Sequence, residues 1–263
     1  MNTVTSKDGT TIAFDQSGMG PALILVHGAF MHRALDPQAA QLAELLSPHF
    51  TVFHYDRRGR GDSGDTKPFS AQREVEDIEA LINEAGGSAF VYGVSSGAAL
   101  AMEAAIELPD KIKKLAMYEP PYYSDEAARK AWKEYRRQLS ESLAEDRRGD
   151  AAALFLALVG MPADQLDQMR REPWFAAFEA VAPTLAYDAA VLGEDRAVPM
   201  DKAARVSTPA LVMNGSASEA FMYDTAVALA NAMPNGQHRT LEGQTHAVSP
   251  EAIAPILVGF FTA

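Results

Sequence analysis

The chain has 263 residues, a size that one α/β domain carrying an insertion can reach, and 48% of them are hydrophobic. Its formal net charge of −12 repels nucleic-acid phosphates and anionic lipid surfaces, so we expect neither nucleic acid nor a membrane as a partner. The absence of cysteine excludes disulfides, thiolate metal sites and cysteine nucleophiles.

Short strand-like runs alternate with longer helical ones, which predicts a mostly parallel sheet with helices on both faces. Two strands, around Val4 and over residues 10–15, are expected to form an antiparallel hairpin. The remaining elements are predicted in this order: strands 22–26 and 51–55, helix 70–85, strand 89–92, helix 96–107, strands 114–118 and 210–213, helix 223–233, strand 239–241 and helix 249–261. The prediction is therefore an α/β fold with an eight-stranded sheet.

The strand pattern disappears between residues 121 and 205. Apolar residues recur there at the three- and four-residue spacing of helices, as in Trp132, Tyr135 and Leu139. We therefore expect residues 1–120 and 206–263 to form the sheet core, and residues 121–205 to form a helical lid over its ligand-binding end.

A candidate nucleophile lies in the segment Gly93-Val94-Ser95-Ser96-Gly97, which fits the pattern G-x-S-x-G. The segment follows a predicted strand and opens a predicted helix, as a nucleophile elbow does. The turn is so tight that only glycine-sized neighbours let the backbone pass, and the helix N-terminus directs its free N–H groups at any oxyanion formed there. Ser95 is therefore the predicted nucleophile.

A serine hydroxyl needs a positioned base to accept its proton. His246 is the best candidate, because it follows Ser95 in the chain and occupies a polar loop between the last strand and the last helix. Among the other histidines, His27 is expected to shape a loop and His54 to lie within a strand. His49 and His238 are expected to be exposed, and His32 to line the pocket mouth.

Four motifs together resemble the α/β-hydrolase family in order and spacing: HGAF at 27–30, DRRGRGDSG at 56–64, GVSSG at 93–97 and GQTH at 243–246. The resemblance extends from about residue 10 to residue 262. It implies the α/β-hydrolase fold, chemistry without a cofactor, and an oxyanion hole formed by the backbone N–H groups of Ala29 and Ser96.

The acid that should orient His246 departs from the family pattern. The usual position falls on Ser218, whose hydroxyl cannot stabilise an imidazolium as a carboxylate does. Glu219 and Asp224 lie nearby, although an acid in a first helical turn, such as Asp224, has a structural explanation. Glu119, in the segment AMYEPP, resembles the glutamate that haloalkane dehalogenases and zearalenone lactonases use, and we favour it over Glu219. The following prolines are expected to hold Glu119 in extended geometry, pointing inward.

A serine at the elbow favours acyl chemistry, whereas dehalogenation and epoxide opening in this family use an aspartate. The prediction is a serine esterase or lactonase that cleaves a small to medium, mainly apolar substrate through an acyl-enzyme. Two alternatives use the same triad, namely carbon–carbon bond hydrolysis and cofactor-free perhydrolysis. A third, of another class, is a ligand-binding sensor with little turnover.

Several lid and loop residues are expected to line an apolar pocket: Phe30, His32, Tyr122, Tyr123, Trp174, Tyr187 and Met222. Asp188 is expected to form hydrogen bonds within the lid, with no chemical role. The loop at 56–64 lacks the Gly-Lys-Ser/Thr of a P-loop and is expected to form tight turns beside the elbow.

The histidines show no metal-ligand spacing, so neither a metal nor a cofactor is predicted. The N-terminal residues lack a signal-peptide pattern, and the longest apolar run, residues 151–161, is far below the roughly 20 residues of a membrane span. We therefore expect a cytoplasmic monomer or homodimer that acts on a small molecule.

Overall fold

The computed structural model describes residues 1–263, which build one eight-stranded sheet with the order β1-β2-β4-β3-β5-β6-β7-β8. The strands are β1 (Asn2–Thr5), β2 (Thr11–Ser17), β3 (Ala22–Val26), β4 (Thr51–Tyr55), β5 (Ala89–Val94), β6 (Ile112–Tyr118), β7 (Ala210–Gly215) and β8 (Gly236–Leu241). Only the β1–β2 and β2–β4 pairs are antiparallel. The predicted fold class and the N-terminal hairpin are therefore confirmed.

Helices cover both faces of the sheet, as burial of its apolar strands requires. Those of the sheet core are α1 (Pro37–Leu46), α2 (Ala71–Glu84), α3 (Ser96–Glu107), α10 (Ala220–Ala232) and α11 (Pro250–Thr262). Helices α1 and α11 pack against each other and supply one apolar layer, whereas α2, α3 and α10 contribute to the layer on the opposite face.

Helix α1 is the one core helix that the pattern of the sequence did not predict. Its buried side is narrow and consists of Leu42, Ala43 and Leu46, so helical periodicity is weak. Local start signals were nevertheless present, because Pro37 occupies the first turn and Asp36 Oδ1 accepts a 2.9 Å hydrogen bond from Ala39 N.

Between β6 and β7 the chain forms helices and no strand of the sheet, as the sequence pattern predicted, with one isolated β-bridge between Tyr123 and Ala197. The helices are α4 (Glu126–Ala144), α5 (Arg148–Leu158), α6 (Ala163–Met169), α7 (Phe175–Val181), a 3₁₀ turn (Ala182–Thr184), α8 (Leu185–Leu192) and α9 (Met200–Ala203). We call residues 121–205 the helical insertion. Its role as a lid stays a prediction.

One helical run in the insertion, Phe175–Leu192, is long and apolar enough to cross a membrane by length and composition. It comprises α7, the 3₁₀ turn and α8, and 56% of the run is buried inside the protein. Burial of this kind is typical of a core helix in a globular domain, so the run is weak evidence for a membrane span.

Close packing of α3 against β3 depends on glycine. A Cβ atom added to Gly97 would lie 2.3 Å from the carbonyl oxygens of both Val26 and His27, and one added to Gly93 would lie 2.4 Å from Gly97 O. Both contacts are with backbone, which cannot move aside as a flexible side chain can. The elbow pattern therefore has a steric cause in this protein.

We predict that Gly97→Ala lowers the free energy of unfolding by about 3 kcal/mol, at the upper end of the usual cost of overpacking. Gly259→Ala in α11 is the matched control, because a Cβ there meets nothing within 4 Å and alanine favours a helix. Urea denaturation of both variants measures the difference. Equal stability of the two variants would contradict the steric explanation.

Candidate active site

Ser95 lies on a strained turn between β5 and α3. Its φ of 56° and ψ of −128° place a non-glycine residue in a sparsely populated region, at a cost on the order of 1–3 kcal/mol. Two hydrogen bonds hold the turn, from Ser95 N to Tyr118 O (2.9 Å) and from Ala98 N to Ser95 O (2.9 Å). The structure thus places Ser95 at the tip of the elbow, where it lines a cavity.

Glu119 follows β6 directly and is completely buried. Its N–H donates to Met213 O (2.9 Å), and its Oε1 accepts a hydrogen bond from Gly215 N (2.8 Å), so β7 fixes both backbone and carboxylate. The predicted inward direction agrees with this position. The predicted extended geometry was wrong: φ is 47°, because the chain turns sharply out of the sheet at this residue before Pro120.

His246 stands in the loop between β8 and α11 and faces the buried carboxylate. Its Nδ1 lies 2.6 Å from Glu119 Oε2, and its side chain is 47% exposed while that of Glu119 is 0% exposed. The hydroxyl of Tyr118 donates to Thr245 O at 2.6 Å, which secures the loop next to the imidazole. His246 therefore bridges a buried acid and the accessible cavity that Ser95 also lines.

The electrostatics of Glu119 favour its charged form. Burial by itself raises the pKa of the carboxyl, but the hydrogen bonds from His246 and Gly215 outweigh it and leave the pKa below its ordinary value. Glu219 and Asp224 are exposed and make no hydrogen bond to His246. The structure thus brings Glu119, and neither alternative, to His246.

The two predicted oxyanion-hole donors lie beside Ser95. Ala29 N donates to no acceptor within the protein. Ser96 is the first residue of α3, where an N–H has no partner inside the helix. Both residues line the same cavity as Ser95, and Gly28 allows the loop to approach, since a Cβ there would lie 3.1 Å from Ser95 Cβ.

The remaining histidines form no hydrogen bond with Ser95 or Glu119. The rings of His27 and His54 are buried against each other with centroids 4.7 Å apart. His49 is exposed, as expected. The expectation that His238 is exposed was wrong: it is half-buried, and its Nε2 lies 2.9 Å from Asn214 Oδ1.

A buried charge network joins the elbow, the loop after β4 and the helical insertion. Asp188 accepts hydrogen bonds from Arg57 (2.8 Å), Arg60 (2.6 Å) and the hydroxyl of Ser96 (2.7 Å). Burial opposes ionisation of Asp188, but the two arginines outweigh it and hold the pKa of its carboxyl below the ordinary value. The expectation that Asp188 bonds within the lid was wrong, because its partners belong to the sheet core.

The same arginines reach the loop that carries Ala29. Arg57 Nη1 donates to His27 O (3.1 Å), and Arg60 Nη1 donates to Gly28 O (2.6 Å). The loop at 56–64 therefore does more than form turns beside the elbow, which was the sequence-based expectation. It fixes the carbonyl groups that precede the free N–H of Ala29.

The cavity next to Ser95 has a volume of about 330 Å³. It lies between the C-terminal ends of the central strands and the helical insertion, and Trp132, Phe155 and Phe221 are among the aromatic residues that line it. Two of the predicted pocket residues, Tyr123 and Met222, line it as well.

The other predicted pocket residues lie outside its lining: Phe30, His32, Tyr122, Trp174 and Tyr187. Competing packing explains their positions. The ring of Phe30 is buried edge-on against Phe155, and Tyr187 stacks on Phe69 with centroids 3.8 Å apart. Trp174 is 51% exposed. These assignments were wrong for this cavity, because sequence alone did not show which loop and helix side chains pack elsewhere or face solvent.

Arg196 is a cavity residue that the sequence analysis missed. It is only 6% exposed and lines the cavity, whereas an arginine in the polar segment GEDRAVP has the sequence pattern of a solvated loop. No sequence signal could have found it.

The structure contains no group of three or more histidine, aspartate or glutamate side chains arranged to hold a metal ion.

The model of the alpha/beta hydrolase family matches residues 23–256 of the chain. The chain belongs to this family. It is similar over 99% of its length to a crystal structure of an alpha/beta hydrolase from Sphaerobacter thermophilus, with 49% identity, all of that chain covered and a TM-score of 0.86. The family membership and the architecture together identify the protein as a hydrolase enzyme.

Curated relatives are more distant. The chain is 24% identical to (E)-2-((N-methylformamido)methylene)succinate hydrolase of Acinetobacter baylyi, over 94% of this chain and 91% of that protein. It is 28% identical to an uncharacterised hydrolase of Bacillus subtilis, but the match spans only 42% of that protein and 43% of this chain. The enol-lactonase of Burkholderia xenovorans shares the fold, with 20% identity, a TM-score of 0.70 and complete coverage of both chains.

We predict that Glu119→Gln lowers kcat roughly a thousandfold or more, because the amide cannot stabilise a protonated His246. Glu219→Gln is the matched control and is expected to stay within about threefold of the unchanged protein. Turnover of a chromogenic ester, with circular dichroism to verify folding, measures both. A near-normal rate in Glu119→Gln, with the loss in Glu219→Gln, would reverse the assignment.

Proposed function

We propose that this enzyme is a serine hydrolase that cleaves a small to medium carboxylic ester or lactone through an acyl-enzyme intermediate. The observation that carries the proposal is the convergence of Ser95, the His246–Glu119 pair and the free N–H of Ala29 on one cavity. These are the nucleophile, the oriented base and the oxyanion donor that acyl transfer requires.

In the proposed acylation step, His246 Nε2 takes the proton from Ser95 Oγ as this oxygen attacks the substrate carbonyl carbon. Glu119 holds Nδ1–H and stabilises the imidazolium that forms. The N–H groups of Ala29 and Ser96 stabilise the negative charge on the carbonyl oxygen. The tetrahedral intermediate then collapses, and the leaving alkoxide takes the proton from His246.

In the proposed deacylation step, His246 removes a proton from water, which attacks the acyl carbon. The ester bond to Ser95 Oγ breaks, and His246 returns the proton to this oxygen. A lactone follows the same steps, except that its alcohol and acid remain parts of one molecule. No step requires a metal or an organic cofactor.

A second cavity next to Ser95 favours a substrate that has groups on both sides of its reacting carbonyl. It has a volume of about 310 Å³ and extends toward α1 and α11, with Leu42 and Ile253 in its lining. Ala29, Ser95 and His246 line both cavities. The two parts of an ester can therefore extend from Ser95 in two directions.

Carbon–carbon bond hydrolysis and perhydrolysis remain alternatives, since they need the same three side chains. A ligand-binding sensor is the alternative of another class. We favour ester or lactone cleavage over perhydrolysis because it needs no added peroxide, and the substrate panel below separates it from carbon–carbon bond hydrolysis. The helical insertion is proposed to close over the bound substrate, and the enzyme is proposed to act in the cytoplasm as a monomer or homodimer.

The test is a panel of p-nitrophenyl esters, aliphatic lactones and a carbon–carbon hydrolase substrate, each measured before and after treatment with a fluorophosphonate. We expect turnover of esters or lactones, its loss after treatment, and a single label on Ser95 by peptide mass spectrometry. Ser95→Ala is the control and should neither turn over nor be labelled. Tight ligand binding with no ester or lactone turnover would instead favour the sensor.

A further inference from the structure

Arg196 carries a buried positive charge that no carboxylate neutralises. The residue is 6% exposed, and its side chain forms no ion pair within 4 Å. Its Nε donates to Pro121 O and its Nη1 to the hydroxyl of Tyr123 (3.2 Å). A buried guanidinium is normally paired, because removing an unpaired charge from water is costly.

The other buried arginines of this protein follow that rule. Arg57 binds Glu74 and Asp188, Arg58 binds Asp77, and Arg60 shares Asp188. Arg196 therefore differs from the three other buried arginines of the chain. What distinguishes its position is the cavity beside Ser95, which it lines.

Aromatic rings account for part of the stabilisation of Arg196. The guanidinium carbon lies 4.4 Å from the ring centre of Tyr123 and 4.9 Å from that of Trp132. Burial lowers the pKa of the guanidinium, and only tyrosines oppose this shift. Arginine nevertheless stays protonated at neutral pH, so the positive charge persists.

One nitrogen of Arg196 is free to bind a ligand. Nη2 has no acceptor within the protein, since only Nε and Nη1 are engaged. It is also not among the fully enclosed polar atoms that lack a partner, so part of its surface is accessible, and the residue lines the cavity. The guanidinium is thus anchored on one side and available on the other.

The carboxylates that line the same cavity do not compete for this nitrogen. Glu119 is bonded to His246 and Gly215, and Asp188 lies between two arginines. Glu219 is exposed and forms no ion pair with Arg196. The cavity therefore combines an apolar and aromatic lining with one unmatched buried cation.

We propose that the natural substrate carries a carboxylate, which binds Arg196 while its ester or lactone carbonyl lies at Ser95. This inference rests on the proposed hydrolase function and adds an acidic group to an otherwise mainly apolar substrate. A charge-assisted hydrogen bond to a buried guanidinium supplies both affinity and orientation. The remote carboxylate would fix which bond of the substrate meets Ser95.

The experiment compares ester pairs that differ by one charge. In the acyl series, mono-p-nitrophenyl esters of glutarate, adipate and pimelate are matched with those of pentanoate, hexanoate and heptanoate, so that a carboxylate replaces a terminal methyl group. In the alcohol series, 4-carboxyphenyl hexanoate is matched with its 4-(methoxycarbonyl)phenyl analogue. The ratio of kcat/KM, acid over neutral, is measured in each pair after subtraction of spontaneous hydrolysis.

We expect the unchanged enzyme to prefer the acid in at least one series. Arg196→Gln should lower that ratio by roughly 10- to 100-fold, the loss typical of a hydrogen bond to a charged group, and Arg196→Lys should lower it less. Arg129→Gln is the matched control. It removes a neighbouring cation of the insertion that pairs with Asp195 outside the cavity, so the ratio should not change.

Two results would overturn the inference. In the first, the unchanged enzyme cleaves each neutral ester as well as or better than its matched acid. This measurement does not depend on the folding of any variant. The other is an Arg196→Gln ratio equal to that of the unchanged enzyme, since a merely structural arginine would lower both rates alike. Either result leaves the proposed hydrolase function intact. Absence of turnover with every ester contradicts that function, and with it the inference.

Discussion

The hydrogen bond between His246 Nδ1 and Glu119 Oε2, 2.6 Å long, is the contact on which the proposed chemistry depends. It links a half-exposed base to a carboxylate that water cannot reach, so the charge of Glu119 is directed at the imidazole instead of being screened by solvent. The fold supports it from two sides, because Gly215 N occupies the second carboxylate oxygen and Tyr118 secures the loop of His246. In the proposed triad the acid comes from the end of β6, whereas the more usual position after β7 is occupied by Ser218.

Most of the buried charged side chains around Ser95 are paired within the protein. Glu119 and Asp188 are each satisfied by buried partners, and the arginines of the loop after β4 hold the carbonyl groups next to Ala29. Asp188 also ties the helical insertion to the elbow through Ser96. Movement of the helical insertion would break this hydrogen bond or shift the turn at Ser95 with it. The network therefore couples the insertion to that turn. Arg196 is the cation left over for a ligand.

The sequence predicted those parts of the molecule that local sterics and periodicity control. Gly93 and Gly97 surround Ser95 because a Cβ at either position would meet backbone, and this requirement is visible as a motif. The mostly parallel eight-stranded sheet followed from alternating elements and family resemblance. The pocket could not be predicted in the same way, because Tyr187 and Phe30 are as aromatic as Trp132 and differ only in what they pack against. Arg196 was missed, and the partners of Asp188 were predicted wrongly, because burial of a charged side chain depends on long-range contacts.

The most direct test of this account is the proton NMR signal of His246 Nδ1–H in the folded enzyme. A short, charge-assisted hydrogen bond to a buried carboxylate predicts a far-downfield resonance that disappears in Glu119→Gln and in His246→Asn and persists in Glu219→Gln. Persistence of the resonance in Glu119→Gln, with its loss in Glu219→Gln, would show that another acid orients the histidine and would contradict the account.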